Sequence, residues 1–387
     1  MNTQAKGLVL LSIFLFLFFF AQLLGQNPPR TMAVDFKKLA EFGTAIGGIF
    51  TIVSIFFFYQ TLTYQIKTSK KQSKASSLGQ FESRVFELLR YHRENVEVTE
   101  MRNPNHYGDK YYKGHKAFRE IYRQFDELVG YVSSFLAEVE LKSIYLNDEE
   151  FEKEIKTLKR QGVNSGIYKT MNEINIAYLI LFFGVDKEGR VALETKMSAK
   201  YKVSYFTKLF DNLSERIALW SLEDSEGKED KEKWKDLKGE MPYRGLKIKF
   251  YGGHQYRLGH YFRHLFQTIS YIDNTGVSYE DNYEYTKIIR AQLSSYEQKL
   301  LFINSISDLG RTWELDVHQH YKEKLNMDLS LYFTAKKLVT KFDLVRNIPD
   351  NLGVIKISDV YPDLVFDGNR EGTERSKLNA VFNKGYY

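Results

Sequence analysis

The sequence predicts a mainly α protein, with two N-terminal transmembrane helices followed by an all-helical cytoplasmic domain. Three observations predict it. Two long apolar spans lie within the first 62 residues, Leu8 to Gly25 and Phe42 to Leu62. Beyond them, apolar residues recur at helical three and four spacing. Proline is scarce (6 in 387 residues) while aromatic residues reach 15%, a balance that favours long helices over a loop-rich sandwich.

In the first span, Leu8 to Gly25, only Ser12 and Gln22 are polar, so it approaches the roughly 20 residues a helix needs to cross a bilayer. A secretory signal peptide is the rival reading, with Lys6 as its basic start and Leu23-x-Gly25 as a poor cleavage site. Gln26-Asn27-Pro28-Pro29-Arg30 cannot continue a helix, so a short loop follows. The second span has Lys67, Lys70, Lys71 and Lys74 just beyond its end, which places the body of the protein in the cytoplasm and the lysines near lipid headgroups. Gly43, Gly47 and Thr51 form a stripe of small residues that lets two membrane helices approach closely, either in a homo-oligomer or against the first span. Neither span carries a central ionisable residue, which disfavours a transporter or proton relay.

The chain divides into five parts: residues 1–66, the two-helix anchor; 67–222, the N-terminal part of the helical domain; 223–245, a charged linker or insertion; 246–345, the C-terminal helical part; and 346–387, an irregular tail. Helices are expected through Phe81 to Val96, His115 to Glu140, His260 to Ile272, Tyr285 to Ser307 and Met327 to Val345. The stretch from Asn103 to Asp109 reads as a turn. Ile174 to Val185, at about twelve residues, is too short to span a membrane and reads as a buried core helix.

Four segments together resemble the putative phage abortive infection protein family: Phe81 to Val96, Gly114 to Tyr122, Leu258 to Asp273 and Ile288 to Asn304. The most specific blocks are His260-Tyr261-Phe262-Arg263 and Arg290-Ala291-Gln292-Leu293-Ser294. The resemblance covers roughly Phe81 to Asn304, behind the paired N-terminal spans. It implies anti-phage defence at the bacterial inner membrane, in which an infected cell stops growing or dies before phage are released. No known chemistry comes with it.

The remaining polar residues were weighed for chemistry. His260 and His264 share a helical face, but Tyr261 stands where a zinc protease needs Glu; His254, His318 and His320 could complete a site, yet packing histidines are the preferred reading and no metal is expected. Arg257 with His264, and Arg311 with His318, lie seven residues apart, a spacing close to that of the HEPN-like RNases. There a cation would stabilise a pentavalent phosphate and an imidazole would move a proton. Arg263, Gln267, Arg290 and Gln292 suit an inter-helix polar network or a ligand pocket, the network being preferred. Ser294-x-x-Glu297 has the spacing of a capping box at a helix start.

Gly252-Gly253 lacks the rest of a phosphate loop, and no nucleophile elbow occurs, which disfavours ATPase, kinase and hydrolase readings. With no cysteine, thiolate chemistry is excluded, and the net charge of +6 is mild for a nucleic-acid binder. No cofactor is expected. The leading expectation is a multi-pass membrane effector whose cytoplasmic domain senses a phage-derived or operon-encoded activator and perturbs the lipid bilayer through its helices. The alternatives are a membrane-tethered RNase, the one reading with a nucleic-acid partner, and a non-enzymatic sensor or scaffold that recruits another toxin.

Overall fold

The computed structural model describes residues 36–102, 111–160, 162–223, 252–275, 278–314 and 337–364, with seven helical positions between 7 and 18. Two compact units divide after Ser83. Helix α1 (Phe36–Glu97), which begins in the first and ends in the second, carries a window of mean hydropathy 1.8 with none of it buried in protein, so by length and composition it can cross a membrane. It is the one such helix among the described residues, and most of the span from Leu8 to Gly25 lies outside them. Phe16, one of the described positions there, has its ring 6.4 Å from that of Phe42. The structure thus supports one membrane-competent helix where the sequence predicts two. Its helical geometry runs unbroken past residue 66, because nothing between Leu62 and Glu97 is Pro and only Gly79 is Gly.

The second unit is a bundle with a small sheet. A hairpin of β1 (Glu100–Arg102) and β2 (Tyr111–Lys113), paired antiparallel, flanks the stretch read as a turn, whose residues 103–110 lie outside the described part. "All-helical" is therefore corrected to mainly helical. Strands of three residues are too short to leave an alternating pattern in the sequence.

After the hairpin come α2 (His115–Phe135), α3 (Asp148–Arg160), α4 (Tyr168–Phe183), α5 (Lys187–Ser198) and α6 (Val203–Glu223). The charged stretch 224–245 lies outside the described residues. Then follow α7 (Gln255–Asp273), α8 (Tyr279–Arg290), α9 (Ser295–Ile306) and a single turn, α10 (Leu338–Lys341). Most of the helix expected from Met327 to Val345 lies outside the described residues. Within the tail, residues 346–364 are irregular apart from the turn Ile357–Asp359, and residues 365–387 lie outside the described part.

Helix α4 is the centre of the core. Its residues from Ile174 to Leu181 are buried on every side, with α2, α5, α7 and α9 packed around it. Each fully buried Leu or Ile there contributes about 1.5–3 kcal/mol. Its end is fixed by glycine. Gly184 takes φ +85°, and a Cβ on Gly253 would lie 2.3 Å from the Phe183 carbonyl, so the backbones touch where no side chain fits. His254 N–H then donates to Leu181 O at 3.0 Å, satisfying one of the carbonyls orphaned at the end of α4.

The helix expected from Tyr285 to Ser307 is broken in two. Ser294 accepts from Glu297 N–H and the Glu297 carboxylate accepts from Ser294 N–H at 2.9 Å, so the predicted capping box starts a new helix there. Apolar periodicity continued across the break and concealed it.

Candidate functional site

The chain from His254 to Arg311, which includes α7, α8 and α9, meets the rest of the second unit through four groups of buried polar residues. At the start of α7, His254 donates through Nε2–H to Gln124 Oε1 at 2.7 Å and its Nδ1 faces Arg257 at 3.2 Å. Arg257 also donates to Glu100 O at 2.6 Å, which ties α7 to the hairpin, and stacks 4.1 Å over the Tyr256 ring. Burial pushes His254 down to about 3, with the Arg257 charge adding to it, so this imidazole is neutral at physiological pH.

Midway along α7, Tyr261 OH donates to Glu297 Oε1 at 2.9 Å, and His115 at the start of α2 donates to Glu297 Oε2 at 2.8 Å. The Glu297 side chain is wholly buried yet fully paired. The carboxylate that completes the capping box of α9 therefore also binds α2 and α7. Close by, the His264 ring stacks with that of His92, 6.2 Å between centroids.

The third group centres on Arg290, the last residue of α8. Its guanidinium donates to the carbonyls of Phe342 and Asp343, both at 3.1 Å, while Tyr283 OH donates to Asp343 Oδ2 at 2.8 Å. Asp343 sits at φ +48°, a left-handed conformation that Asp tolerates better than most residues. Lys341 and Asp273 form a buried ion pair beside it.

The fourth group is a buried ion cluster. Arg311 makes a bidentate pair with Glu154 of α3 and approaches Asp308 at 3.1 Å; Lys200 lies 3.1 Å from Glu154 and 3.2 Å from Asp308. Asn175 Nδ2 donates to Asp308 Oδ2 at 2.8 Å, so the cluster reaches the core helix. Two cations balance two carboxylates. Burial opposes ionisation of Asp308, but Lys200 and Arg311 outweigh it and hold the carboxyl far below the usual range.

The residues singled out for RNA cleavage are thus dispersed. Arg257 and His264 share no hydrogen bond or partner, and Arg311 is committed to carboxylates, while His318 and His320 lie outside the described residues. Of the expected network, Arg290 is buried and bonded, Arg263 and Gln267 are exposed on α7, and Gln292 is half-buried; the last three share no hydrogen bond with Arg290. His260 is exposed, and among the described residues no three His, Asp or Glu are placed to hold a metal. Among the described residues a Cβ on Gly43 or Gly47 would meet nothing within 4 Å, Thr51 Oγ1–H donates to the Gly47 carbonyl at 2.8 Å, and Lys67, Lys70, Lys71 and Lys74 are exposed.

Sequence reasoning missed Glu154, Lys200, Asp308, His92 and His115. The Glu154 signal was a lone acid within an acidic helix, indistinguishable from its neighbours until folding brought it to Arg311.

Each of these four groups draws in part on one stretch of chain. Residues 253–327 match the putative phage abortive infection protein family. It is the family already named from the HYFR and RAQLS blocks, both of which fall inside the match. The matched segment covers about a fifth of the chain, starting at Gly253 and running through α7, α8, α9 and Arg311. Its extent differs from the one read in the sequence. Phe81 to Val96 and Gly114 to Tyr122 lie outside it, while residues 305–327, not recognised from sequence, lie inside. No curated protein and no solved structure matches the chain.

Proposed function

We propose that this chain is a membrane-anchored abortive-infection effector of the bacterial inner membrane. The body beyond residue 66 is cytoplasmic, senses a phage-derived or operon-encoded activator, and perturbs the bilayer by rearranging the membrane helices of a homo-oligomer. One observation carries the reading: the same helix, α1, holds the apolar membrane-competent window and, in its last turns, the core residues Val85, Leu89 and Val96 of the second unit. A change at those turns acts on an element that also carries the membrane window. The lysines at 67, 70, 71 and 74 support the inward orientation, and the match of residues 253–327 supports the defence role.

The Gly43/Gly47 face is the proposed contact between copies, since a Cβ at either position would meet nothing within 4 Å among the described residues. The test is induction during phage challenge while membrane potential and total RNA are followed together. Loss of potential with intact RNA, abolished by Gly43→Leu with Gly47→Leu, is the expected result. Cleaved RNA at unchanged potential would replace this mechanism with the tethered RNase. Neither effect in a clean host would point instead to a scaffold for another toxin.

A further inference from the structure

Two imidazoles that belong to no hydrogen-bond network meet inside the second unit. His92, on the last turns of α1, is 1% exposed, and its ring lies 6.2 Å from that of His264 on α7, with the planes 23° apart. The Tyr261 ring packs 5.3 Å from His92. All four ring nitrogens are shut off from solvent and none has a partner among the described residues. Native proteins rarely leave buried polar atoms unpaired, so a cluster of four calls for an explanation.

The surroundings accept neutral rings and reject charged ones. The titratable groups facing the pair are His115 from α2, Tyr261 from α7 and, behind Tyr261, Glu297 from α9. Glu297 is the one carboxylate in this group, and its oxygens are already taken by His115, Tyr261 and Ser294. A proton on His92 or His264 would place a cation beside another imidazole, with no acceptor for its N–H groups.

We propose that His92 and His264 form an acid-sensitive clasp between α1 and α7, closed while both rings are neutral and loosened when either takes up a proton. The first proton places an uncompensated charge in the contact; the second is opposed by the first. Burial, helped by His264 and His115, holds His92 down to about 4, and burial lowers His264 as well. Because the unfolded chain takes up these protons near pH 6.5, the clasp holds fully above that value and is lost as pH falls toward 4. Its use as a sensor of cytoplasmic acidification rests on the membrane-effector reading. The clasp itself does not.

The test is thermal unfolding of the full 387-residue chain in detergent between pH 7.5 and 5.0, as wild type and with His92→Phe, His264→Phe and both. The wild type should lose on the order of 5 °C more in Tm over that range than the double variant, with each single variant between them. At pH 7.5 the double variant should be at least as stable, since apolar rings leave no nitrogen unpaired. An equal acid loss in wild type and double variant would overturn the clasp. If the variants do not fold, imidazole NMR titration of the wild type decides: both rings must stay neutral well below pH 6.5, and titration near 6.5 refutes the proposal. A normal clasp in vitro with no effect of cytoplasmic pH on toxicity would remove the sensor role alone.

Discussion

Arg311 and Glu154, 157 residues apart in sequence, are joined by a bidentate ion pair inside the second unit. The pair binds the C-terminal side of the segment matched at residues 253–327 to α3, and Lys200 and Asp308 complete a neutral cluster around it. Buried charges are costly to bring together and more costly to leave alone.

Replacing Arg311 with Ala should therefore cost about 3–5 kcal/mol of unfolding free energy, because Glu154 and Asp308 would keep only Lys200 as counter-charge. Arg311→Lys should recover only part, since an ammonium cannot match the guanidinium fork. Urea denaturation of the three proteins measures both. A loss below about 1 kcal/mol for Arg311→Ala would mean the cluster contributes no more than a surface pair.

Arg290 closes the chain onto the turn at Phe342 and Asp343. Arg290→Gln is expected to cost about 1.5–3 kcal/mol, the usual worth of hydrogen bonds from a charged donor. Hydrogen exchange should rise around residues 338–346 and stay unchanged in α4. Equal protection in both regions would contradict the assignment.

Gly253→Ala tests the close approach to α4. The added Cβ would sit 2.3 Å from the Phe183 carbonyl, and since backbone cannot swing aside, a loss of about 3 kcal/mol is expected. Gly130→Ala is the control. It lies exposed within α2 with open space around it, so it should gain about 0.5–1 kcal/mol from helix propensity.

Glu314 should make the protein less stable as pH rises through neutrality. Burial raises its carboxyl to about 7 despite hydrogen bonds from Thr340 and from the Val339 and Thr340 amides. The folded chain thus holds a proton that the unfolded chain releases near pH 4.5, and stability falls as pH rises from about 4.5 through 7. Glu314→Gln should flatten that part of the stability profile. An unchanged slope would place the proton elsewhere.

Several of these features were readable in the sequence because they depend on neighbours close along the chain. The apolar window of α1, the core run Ile174 to Val185 and the Ser294/Glu297 cap all arise within a few turns, where composition and spacing decide the outcome. Arg311 illustrates the opposite case. Spacing paired it with His318, whereas its partners are Glu154, from a helix far upstream, and Asp308. Glu297 shows both sides: the cap was legible, but its bonds to His115 and Tyr261 were not, because they join three separate helices.

Composition and spacing along the chain suffice to make it mainly helical, to give it an apolar helix long enough for a membrane, and to carry its resemblance to the family matched at residues 253–327. Hydrophobic burial and backbone hydrogen bonding act on every sequence of that pattern alike, so pattern suffices for them. Which arginines are structural, which glycine had to be glycine, and which histidines stay neutral depend on the packed fold. Those properties depend on desolvation and on partners brought within about 3 Å by packing, and local spacing carries neither.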